Sequence, residues 1–333
     1  MKKIRVAQIG TSLMSHGNQI WCSLKKQTDI FEVVGYALPE NEREKFPQQM
    51  QAFEGYREMT VDEILSDPTI DGVVVETEEI YLTKYALMVA KAGKNLHMEK
   101  PGGQNLEEFE ELIETMRQSG KVFSTGYMYR HNPKVKEILA QVDSDELGEI
   151  ISVDAQMSCT HETWVRNWLS CLKGGMLFFL GCHLIDLIYR IQGNPENVIP
   201  LTRSTGLEGA TGEDFGMAIL EYKNGASIVK TTDVQHGGFS ERQLIVNGSK
   251  KTVVVRPLEM FVDKSPLQYT EAVEYLSTSW HNRGEKSQSE QYDRYDTMMA
   301  TFAKRINGEY EEKVYTLDYE LELYKLVLKC CNI

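Results

Sequence analysis

Over its first 125 residues the sequence alternates short runs of β-branched residues with amphipathic stretches of helical period, and this alternation restricts the fold more than any other feature. It is typical of βαβ units, in which helices connect parallel strands. The predicted strands are 4–9, 32–37, 72–76, 95–97 and 122–125. The predicted helices are 16–26, 61–65, 81–92 and 106–119. Residues 1–126 are therefore predicted to form an α/β domain with a doubly wound parallel sheet.

From about residue 149 the pattern changes to strand after strand. The predicted strands are 150–158, 215–222, 227–234, 243–246 and 252–255, and the predicted helices are 175–191, 288–306 and 318–330. Asn224-Gly225 and Asn247-Gly248 fall between such runs, where glycine tolerates the positive φ of hairpin turns. Residues 127–333 are therefore predicted to form an α+β domain with an open, mostly antiparallel sheet, whose last helix can pack back on the first domain.

The composition limits which binding partners and which cellular compartment are expected. The 333 residues carry a formal net charge of -13, which argues against a nucleic-acid or anionic-membrane surface. No apolar run approaches the roughly 18 residues that span a bilayer, and no secretory signal precedes the first strand. Six cysteines without regular spacing are typical of intracellular thiols. A cytoplasmic protein with a small-molecule substrate is expected.

The turn after the first strand is the predicted nucleotide-binding element. In doubly wound sheets this turn holds phosphates on backbone N–H groups. Of the G-x-G-x-x-G pattern only Gly10 is kept, with Ser12 and Ser15 at the other glycine positions. Serine is small enough for the backbone to approach a pyrophosphate. The alternative is a plain tight turn of an α/β protein.

The second predicted strand lacks the acid that usually binds the ribose hydroxyls, because Leu38 occupies its position. Losing a charge-assisted hydrogen bond costs about 1.5–3 kcal/mol, so binding can survive, with Glu40 as a possible substitute. No arginine follows closely, since Arg43 is five residues further on. The sequence therefore favours NAD only slightly over NADP.

The most informative local motif is Glu99-Lys100-Pro101, which follows the fourth predicted strand at the ligand-binding edge of the sheet. Pro101 biases Lys100 toward an extended backbone, from which its side chain can point into a cleft. A lysine that is partly desolvated near a cationic nicotinamide has a lowered pKa and can act as a general base or acid. Such a group supplies about 10²–10⁴ in rate.

Further motifs accompany Glu-Lys-Pro along nearly the whole chain. They are Tyr129-Arg130-x-Asn132-Pro133 at the domain crossover, Gly174-Gly175, Gly181-Cys182-His183-Leu184-Ile185-Asp186, and Asn224-Gly225. In order and spacing this set resembles the Gfo/Idh/MocA oxidoreductase family. The resemblance implies a Rossmann domain that binds NAD or NADP, a second domain whose open sheet joins copies into a homodimer or homotetramer, and hydride transfer to or from a sugar, polyol or related compound.

The resemblance also implies roles for individual residues. Lys100 matches the family's catalytic lysine, and His183 matches the histidine that acts on the reacting oxygen. The implied cofactor-binding residues are Gly10, Thr11, Ser12, Leu13, Leu38, Thr77, Glu99 and Lys100. From the residues alone, His183 on an otherwise apolar helix is more typical of a hydrogen-bonded core histidine.

Two departures from the family pattern bear on catalysis. Phe179 occupies the position four residues before His183, where the family usually has an Asp that orients the imidazole. After the third predicted strand, Thr77 is followed by Glu78 and Glu79. Two carboxylates at that position would repel an anionic substrate and suit a neutral or cationic one.

The substrate is expected to meet aromatic and polar side chains in the second domain. The segment 159–168 is rich in groups that bind sugars, because aromatic faces stack on sugar rings and polar groups take hydroxyls. The candidate substrate-binding residues are Tyr129, Arg130, His161, Trp164, Trp168 and His183. The alternative is a surface loop above packed tryptophans. No pair of histidines or cysteines has metal-ligand spacing, so no metal site is predicted.

These observations predict an NAD(P)-dependent oxidoreductase acting on a CH–OH group or its carbonyl. Two alternatives stay open. The first is a non-catalytic binding or regulatory protein with the same two-domain frame, which the changes at Ser12, Leu38 and Phe179 favour. The second is a glycosidase-type relative that uses tightly held NAD transiently. Neither the substrate nor the direction of reaction follows from the sequence.

Overall fold

The computed structural model describes residues 2–333 and divides the chain into two compact units. Unit 1 contains the residues up to Tyr127 together with Tyr295–Glu322. Unit 2 contains Met128–Arg294 and Leu323–Ile333. The chain therefore returns to unit 1 after completing most of unit 2.

The strands form a parallel sheet, a mixed sheet and a separate two-stranded sheet. Those of unit 1 are β1 (Ile4–Ile9), β2 (Phe31–Ala37), β3 (Gly72–Val75), β4 (Asn95–Met98) and β5 (Phe123–Thr125). Those of unit 2 are β6 (Ile150–Gln156), β7 (Asn197–Arg203), β8 (Phe215–Tyr222), β9 (Gly225–Thr232), β10 (Gln243–Gly248), β11 (Thr252–Val255), β12 (Met260–Phe261), β13 (Gln268–Tyr269), β14 (Glu271–Tyr275) and β15 (Glu285–Gln288).

The α-helices connect or follow these strands along the chain. They are α1 (Gly17–Lys26), α2 (Glu42–Lys45), α3 (Val61–Ser66), α4 (Glu79–Lys91), α5 (Leu106–Ser119), α6 (Pro133–Asp143), α7 (Thr163–Trp168), α8 (Cys182–Gln192), α9 (Asp296–Ile306) and α10 (Leu317–Cys330). Among residues 2–333, every helix is too short or too polar to cross a bilayer.

In unit 1 the strand order is β2-β1-β3-β4-β5, and all neighbouring pairs are parallel. The prediction of a doubly wound parallel sheet is confirmed. All four residues of β3 are buried, as expected for a strand covered on both faces. α9 belongs to this unit because Phe302 packs beside Gly72 and against the ring of His97, with 5.9 Å between ring centroids.

In unit 2 the strand order is β15-β14-β11-β10-β6-β9-β8-β7, and the sheet is antiparallel except for the parallel pair β6–β9. The prediction of a mostly antiparallel sheet is confirmed. A hairpin joins β8 and β9 as expected, but its turn is Lys223-Asn224, and Gly225 pairs with Tyr222 in the sheet. Asn247 and Gly248 likewise lie within β10 and not in the turn that follows it. β7 was not predicted because Pro200 interrupts its pattern; β7 lies at the sheet edge, where proline is tolerated. β14 and β15 were missed because polar residues dominate them.

The helix predicted at 175–191 is interrupted by a different turn. Leu177–Gly181 form a π-helical turn, and α8 continues from Cys182. α6 was also missed, although Asn132 caps its first turn by accepting hydrogen bonds from the amides of Lys134 and Val135. Its Asn132-Pro133 start belongs to the motif that predicts the domain crossover, which hides the helix in the sequence. Pro133 occupies the first helical position, where its missing N–H has no cost.

Candidate functional site

The turn after β1 lies directly against the end of β3. Gly10 has φ +90°, and a Cβ added there would lie 2.6 Å from both the backbone nitrogen and the Cγ2 of Thr77. Only glycine fits this approach without strain. The structure therefore brings Gly10, Thr11, Ser12 and Thr77 together at the carboxyl ends of β1 and β3, as expected for a nucleotide-binding edge.

Two amides of this turn are already bonded within the chain. The Thr11 N–H donates to Oε2 of Glu42 over 2.9 Å, and the Ser12 N–H donates to the backbone oxygen of Glu76 over 3.0 Å. The Ser12 hydroxyl accepts from the Met14 amide, so it stabilises the turn itself. A phosphate that uses the Thr11 amide must therefore displace Glu42, a residue that the sequence did not single out.

Glu42 is fully buried, and its environment changes its titration. Burial raises its pKa to about 8, and the hydrogen bond from the Thr11 amide opposes this effect only in part. Near neutral pH the side chain is thus mostly protonated. No sequence signal indicated this contact, because it joins the first turn to a short helix about thirty residues away.

Lys100 and Glu99 lie together at the end of β4. Both side chains are essentially inaccessible, at 1% and 0% exposure, and Lys100 Nζ lies 3.8 Å from Glu99 Oε1. His16 Nδ1 approaches the same oxygen to 3.4 Å. Burial alone would raise the pKa of Glu99, but the charges of His16 and Lys100 hold it below its ordinary value. Glu99 therefore forms an ionised centre beside the lysine.

Two further carboxylates are buried at the same edge. Neither oxygen of Glu76 and neither oxygen of Glu79 has a hydrogen-bond partner among residues 2–333. Burial, and then the charge of Glu99, raises the pKa of Glu76 well above its ordinary value. Burial raises the pKa of Glu79 to about 7, against the opposing charge of Lys100. Glu78, by contrast, pairs with Lys45 at 2.9 Å.

The end of β2 is apolar and internally bonded. Leu38 packs against the buried cluster of Trp21, Tyr36 and Phe53. Glu40 accepts hydrogen bonds from Lys84 over 2.6 Å and from the Tyr85 hydroxyl over 2.7 Å. Leu13, at the turn after β1, is half-buried. Ribose recognition by Glu40 would thus compete with bonds that it already makes.

In unit 2, His183 in the first turn of α8 and Arg130 are both buried. The ring of His183 meets Tyr129 edge to face, with 5.3 Å between centroids, and is 1% exposed. Arg130 binds Asp186 through Nε and Nη2 at 2.8–3.2 Å. The charge of Asp186 is therefore offset by Arg130, a residue predicted to bind substrate.

The two tryptophans of the segment 159–168 differ in their exposure. Trp164 is half-exposed, and its indole N–H donates to Glu162. Trp168 packs edge to face on Phe179, with 5.4 Å between centroids. His161 lies beside Asp233, which the sequence analysis did not identify, with 2.5 Å between Nδ1 and Oδ1.

Cys159 completes this group, because its thiol donates to Asp233 Oδ1 over 3.1 Å. Burial and the neighbouring charge of Asp233 raise the pKa of the thiol. Cys159 is therefore a poor nucleophile at neutral pH, since the thiolate is the reactive form.

Known proteins share both parts of this architecture. Residues 4–127 match the Gfo/Idh/MocA profile described as an oxidoreductase family with an NAD-binding Rossmann fold, and residues 140–320 match the family's C-terminal α/β domain. The uncharacterised oxidoreductase YhhX of Escherichia coli is 28% identical over 198 residues, which are 58% of this chain and 55% of that protein. The 1,5-anhydro-D-fructose reductase of Ensifer adhaerens is 22% identical over 59% of this chain and 60% of its own length.

The matched segments thus span little more than half of these relatives' length. Over the full fold, the crystal structure of a 3-ketoreductase from Actinomadura kijaniata, in complex with NADP and TDP-benzene, superimposes with a TM-score of 0.78. It is 18% identical and covers 98% of this chain and 96% of its own. With both family domains matched in order over most of its length, the chain belongs to the Gfo/Idh/MocA family of oxidoreductases.

Proposed function

We propose that this protein is an NAD(P)-dependent oxidoreductase that transfers hydride to or from a sugar, polyol or related small hydroxy or carbonyl compound. The observation that carries the proposal is Lys100, a lysine buried at the carboxyl edge of a parallel sheet beside the ionised Glu99. Perturbed ionisable groups at such an edge are typical of catalytic sites.

The residues of unit 1 fit a nicotinamide dinucleotide. Gly10 leaves the backbone of the first turn open for close approach, and Thr77, Glu99 and Lys100 follow the neighbouring strands. The bound nicotinamide would supply the hydride acceptor or donor. Glu42 is the one residue that a phosphate at the Thr11 amide must move.

Lys100 handles the proton of the reaction in this proposal. When a hydroxyl is oxidised, its O–H proton passes to the neutral amine of Lys100 as hydride leaves the carbon. In reduction, the ammonium returns a proton to the oxygen. Glu99 supports this exchange, because a carboxylate 3.8 Å from Nζ stabilises the ammonium form in a buried setting.

Unit 2 supplies the groups that the proposal assigns to substrate. The ring of His183, packed on Tyr129, can meet a substrate hydroxyl, whereas the Tyr129 hydroxyl already donates to Glu259. Trp164 and His161 are accessible enough to meet a ligand. Arg130 is instead occupied by Asp186, so its role is to fix α8. An aromatic surface with few polar groups suits a neutral sugar-like compound.

The experiment begins with titration of the purified protein with NADH and NADPH, followed by nicotinamide fluorescence. A screen of polyols and sugars with the oxidised cofactors, and of their keto forms with the reduced ones, then identifies a substrate. Lys100→Ala is expected to lower kcat about 100-fold or more while the cofactor Kd changes about threefold at most. Lys91→Ala, at an exposed position of the same unit, serves as the matched control. Full activity of the Lys100 variant on a verified substrate would refute the assignment.

A second candidate function, a non-catalytic binding protein of the same fold, is favoured by the Glu42–Thr11 hydrogen bond, which occupies a phosphate donor. The same titration separates the two. Micromolar binding of either dinucleotide supports the enzyme. Failure to bind both at millimolar concentration supports the binding protein.

A further inference from the structure

Three potential metal ligands converge in unit 2, where the chain continues beyond β6 and β9. Cys159 and His161 are two residues apart on an extended segment, so their side chains share one face. Asp233 lies on the adjacent segment and is held in register, since the Cys159 amide donates to Thr232 and the His161 amide donates to Asp233. Backbone pairing thus fixes the three side chains relative to one another.

The distances among their donor atoms approach those of a metal site. Cys159 Sγ lies 3.6 Å from His161 Nδ1 and 3.1 Å from Asp233 Oδ1. Bonds of about 2.0–2.3 Å to a tetrahedral Zn²⁺ place neighbouring ligand atoms roughly 3.3–3.6 Å apart. The thiol–imidazole spacing already meets this geometry. The imidazole and carboxylate, at 2.5 Å, need to separate by less than about 1 Å.

Burial and charge supply an independent observation. Asp233 is fully buried, and its second oxygen, Oδ2, has no hydrogen-bond partner among residues 2–333. An orphaned carboxylate oxygen of this kind is costly unless a ligand satisfies it. Arg242 interacts with the Cys159 side chain, but it also binds Glu259 at 2.8 Å, so a buried carboxylate offsets its charge.

We propose that Cys159, His161 and Asp233 form a binding site for a borderline-soft divalent cation of the Zn²⁺ class. Thiolate, imidazole and carboxylate are ligands that Zn²⁺ accepts, and three protein ligands leave one position for water or a ligand oxygen. His161 is a third exposed, which provides a path from solvent. The sequence spacing did not reveal this site because Asp233 is remote from the other two residues in the chain.

Binding of the cation releases one proton to solvent. The cation replaces the thiol proton of Cys159, which is released to solvent, and forms an Sγ–metal bond. The neutral imidazole of His161 exchanges its single proton from Nδ1 to Nε2 through solvent, so that Nδ1 can bind the metal and Asp233 becomes a ligand instead of a hydrogen-bond acceptor. No oxidation or reduction takes place.

Cobalt provides the direct test on the full-length protein. After treatment with a chelator, the protein is titrated with Co²⁺ in the absence of nicotinamide cofactor, and absorption is recorded. We expect one equivalent to produce tetrahedral d–d bands and a thiolate-to-cobalt charge-transfer band. Zn²⁺ should displace the Co²⁺ and remove both, because Zn²⁺ binds such sites more tightly.

Matched variants identify the ligands. Cys159→Ser should abolish the charge-transfer band, and Asp233→Asn should weaken Zn²⁺ binding about 100-fold or more, since even outer-shell substitutions cost about 10–100-fold. Cys22→Ser and His281→Ala, at exposed positions, should leave the spectrum unchanged. Circular dichroism verifies the fold of each variant.

The absence of a band in the wild-type protein, or its persistence in Cys159→Ser, would overturn the proposal. Because neither cofactor nor substrate is present, this result is independent of the oxidoreductase activity.

Discussion

The two units bury charged side chains in opposite ways. In unit 2, Glu259 is 1% exposed and lies 2.8 Å from both Arg242 and Arg294, and its pKa stays low because these guanidiniums outweigh the effect of burial. In unit 1, Glu76 and Glu79 are just as buried, yet no hydrogen bond within the described chain satisfies their carboxylates. Burial accordingly raises their pKa values.

This difference distinguishes buried charges that hold the fold together from buried acids that can serve a ligand. A buried ion pair whose members satisfy each other stabilises the surrounding packing once it has formed. Buried acids without partners cost stability, and proteins retain such groups mainly at sites where they serve chemistry or binding. Glu76 and Glu79 of unit 1 are therefore candidates for proton exchange or hydrogen bonding with a ligand, whereas Glu259 serves the packing of unit 2.

The largest effect on stability is expected when the ion pairs of Glu259 with Arg242 and Arg294 are broken. Glu259→Gln leaves Arg242 and Arg294 without their buried counter-charge and should lower the free energy of unfolding by about 3–5 kcal/mol. Urea denaturation followed by circular dichroism measures it. Glu271→Gln, at an exposed position in the same unit, should change stability by less than about 0.5 kcal/mol. Equal effects of the two substitutions would contradict the distinction.

The buried side chains of Glu42 and Glu79 should make the free energy of unfolding fall as the pH rises. The folded-state pKa values of Glu42 and Glu79 are raised to about 8 and about 7, so their protonated forms stabilise the folded protein. That contribution is lost as pH rises through these values. Between about pH 6.5 and 8.5 the free energy of unfolding should fall by roughly 2–3 kcal/mol.

Scanning calorimetry across this range provides the measurement, and Glu42→Gln and Glu79→Gln should each flatten the profile. The pH range starts near 6.5 so that His97 does not contribute to the change. Burial lowers the pKa of His97 to about 4, so this residue reduces the free energy of unfolding only below its ordinary pKa of 6.5, where the unfolded chain binds the proton. A stability that rises from pH 6.5 to 8.5 would show that the edge carboxylates are ionised in the folded protein.

A smaller effect is expected on cofactor affinity. Glu42→Ala frees the Thr11 amide and removes a competing acid, so NADH or NADPH should bind about tenfold more tightly at pH 8.5. At pH 6.5, where Glu42 is neutral, the gain should shrink. Fluorescence titration at both pH values tests this. Weaker binding by the variant would mean that Glu42 helps to build the cofactor site.

The smallest effect concerns an exposed partner in unit 2. Arg166 contacts both Glu208, which is largely exposed, and the buried Asp214 at 3.5 Å. Glu208→Gln should change the free energy of unfolding by less than about 0.5 kcal/mol, because solvent screens exposed pairs. Thermal denaturation of the variant beside the wild type provides the comparison. A loss as large as that of Glu259→Gln would show that exposure does not set the strength of these pairs.

The local residue pattern was sufficient to predict the sheet of unit 1 and the presence of a hairpin between β8 and β9, because apolar runs and turn-forming residues are visible among sequence neighbours. The turn itself lies one residue earlier than predicted, at Lys223-Asn224. It failed for β7, β14 and β15, whose edge positions or polar residues leave little periodic signal. In these strands tertiary pairing overrides intrinsic preference.

The site was predicted unevenly for the same reason. Lys100 and Gly10 were identified because motifs place them at strand ends. Glu42 at the Thr11 amide and Asp233 at His161 were not, since these contacts join residues far apart in sequence. Likewise, the burial that leaves Glu76 without a partner depends on how α1 packs against the end of β3.

The π-helical turn at Leu177–Gly181 changes how positions before His183 can be compared between relatives. A π turn accommodates one residue more than an α-helical turn, so it shifts the helical phase of everything that precedes it. Counting back four residues from His183, a rule that assumes an unbroken α-helix, therefore arrives at a different face of this helix. A relative that lacks the extra residue would place a different side chain one turn before its histidine. A single-residue deletion in this turn would therefore bring a neighbouring side chain next to His183 without any substitution.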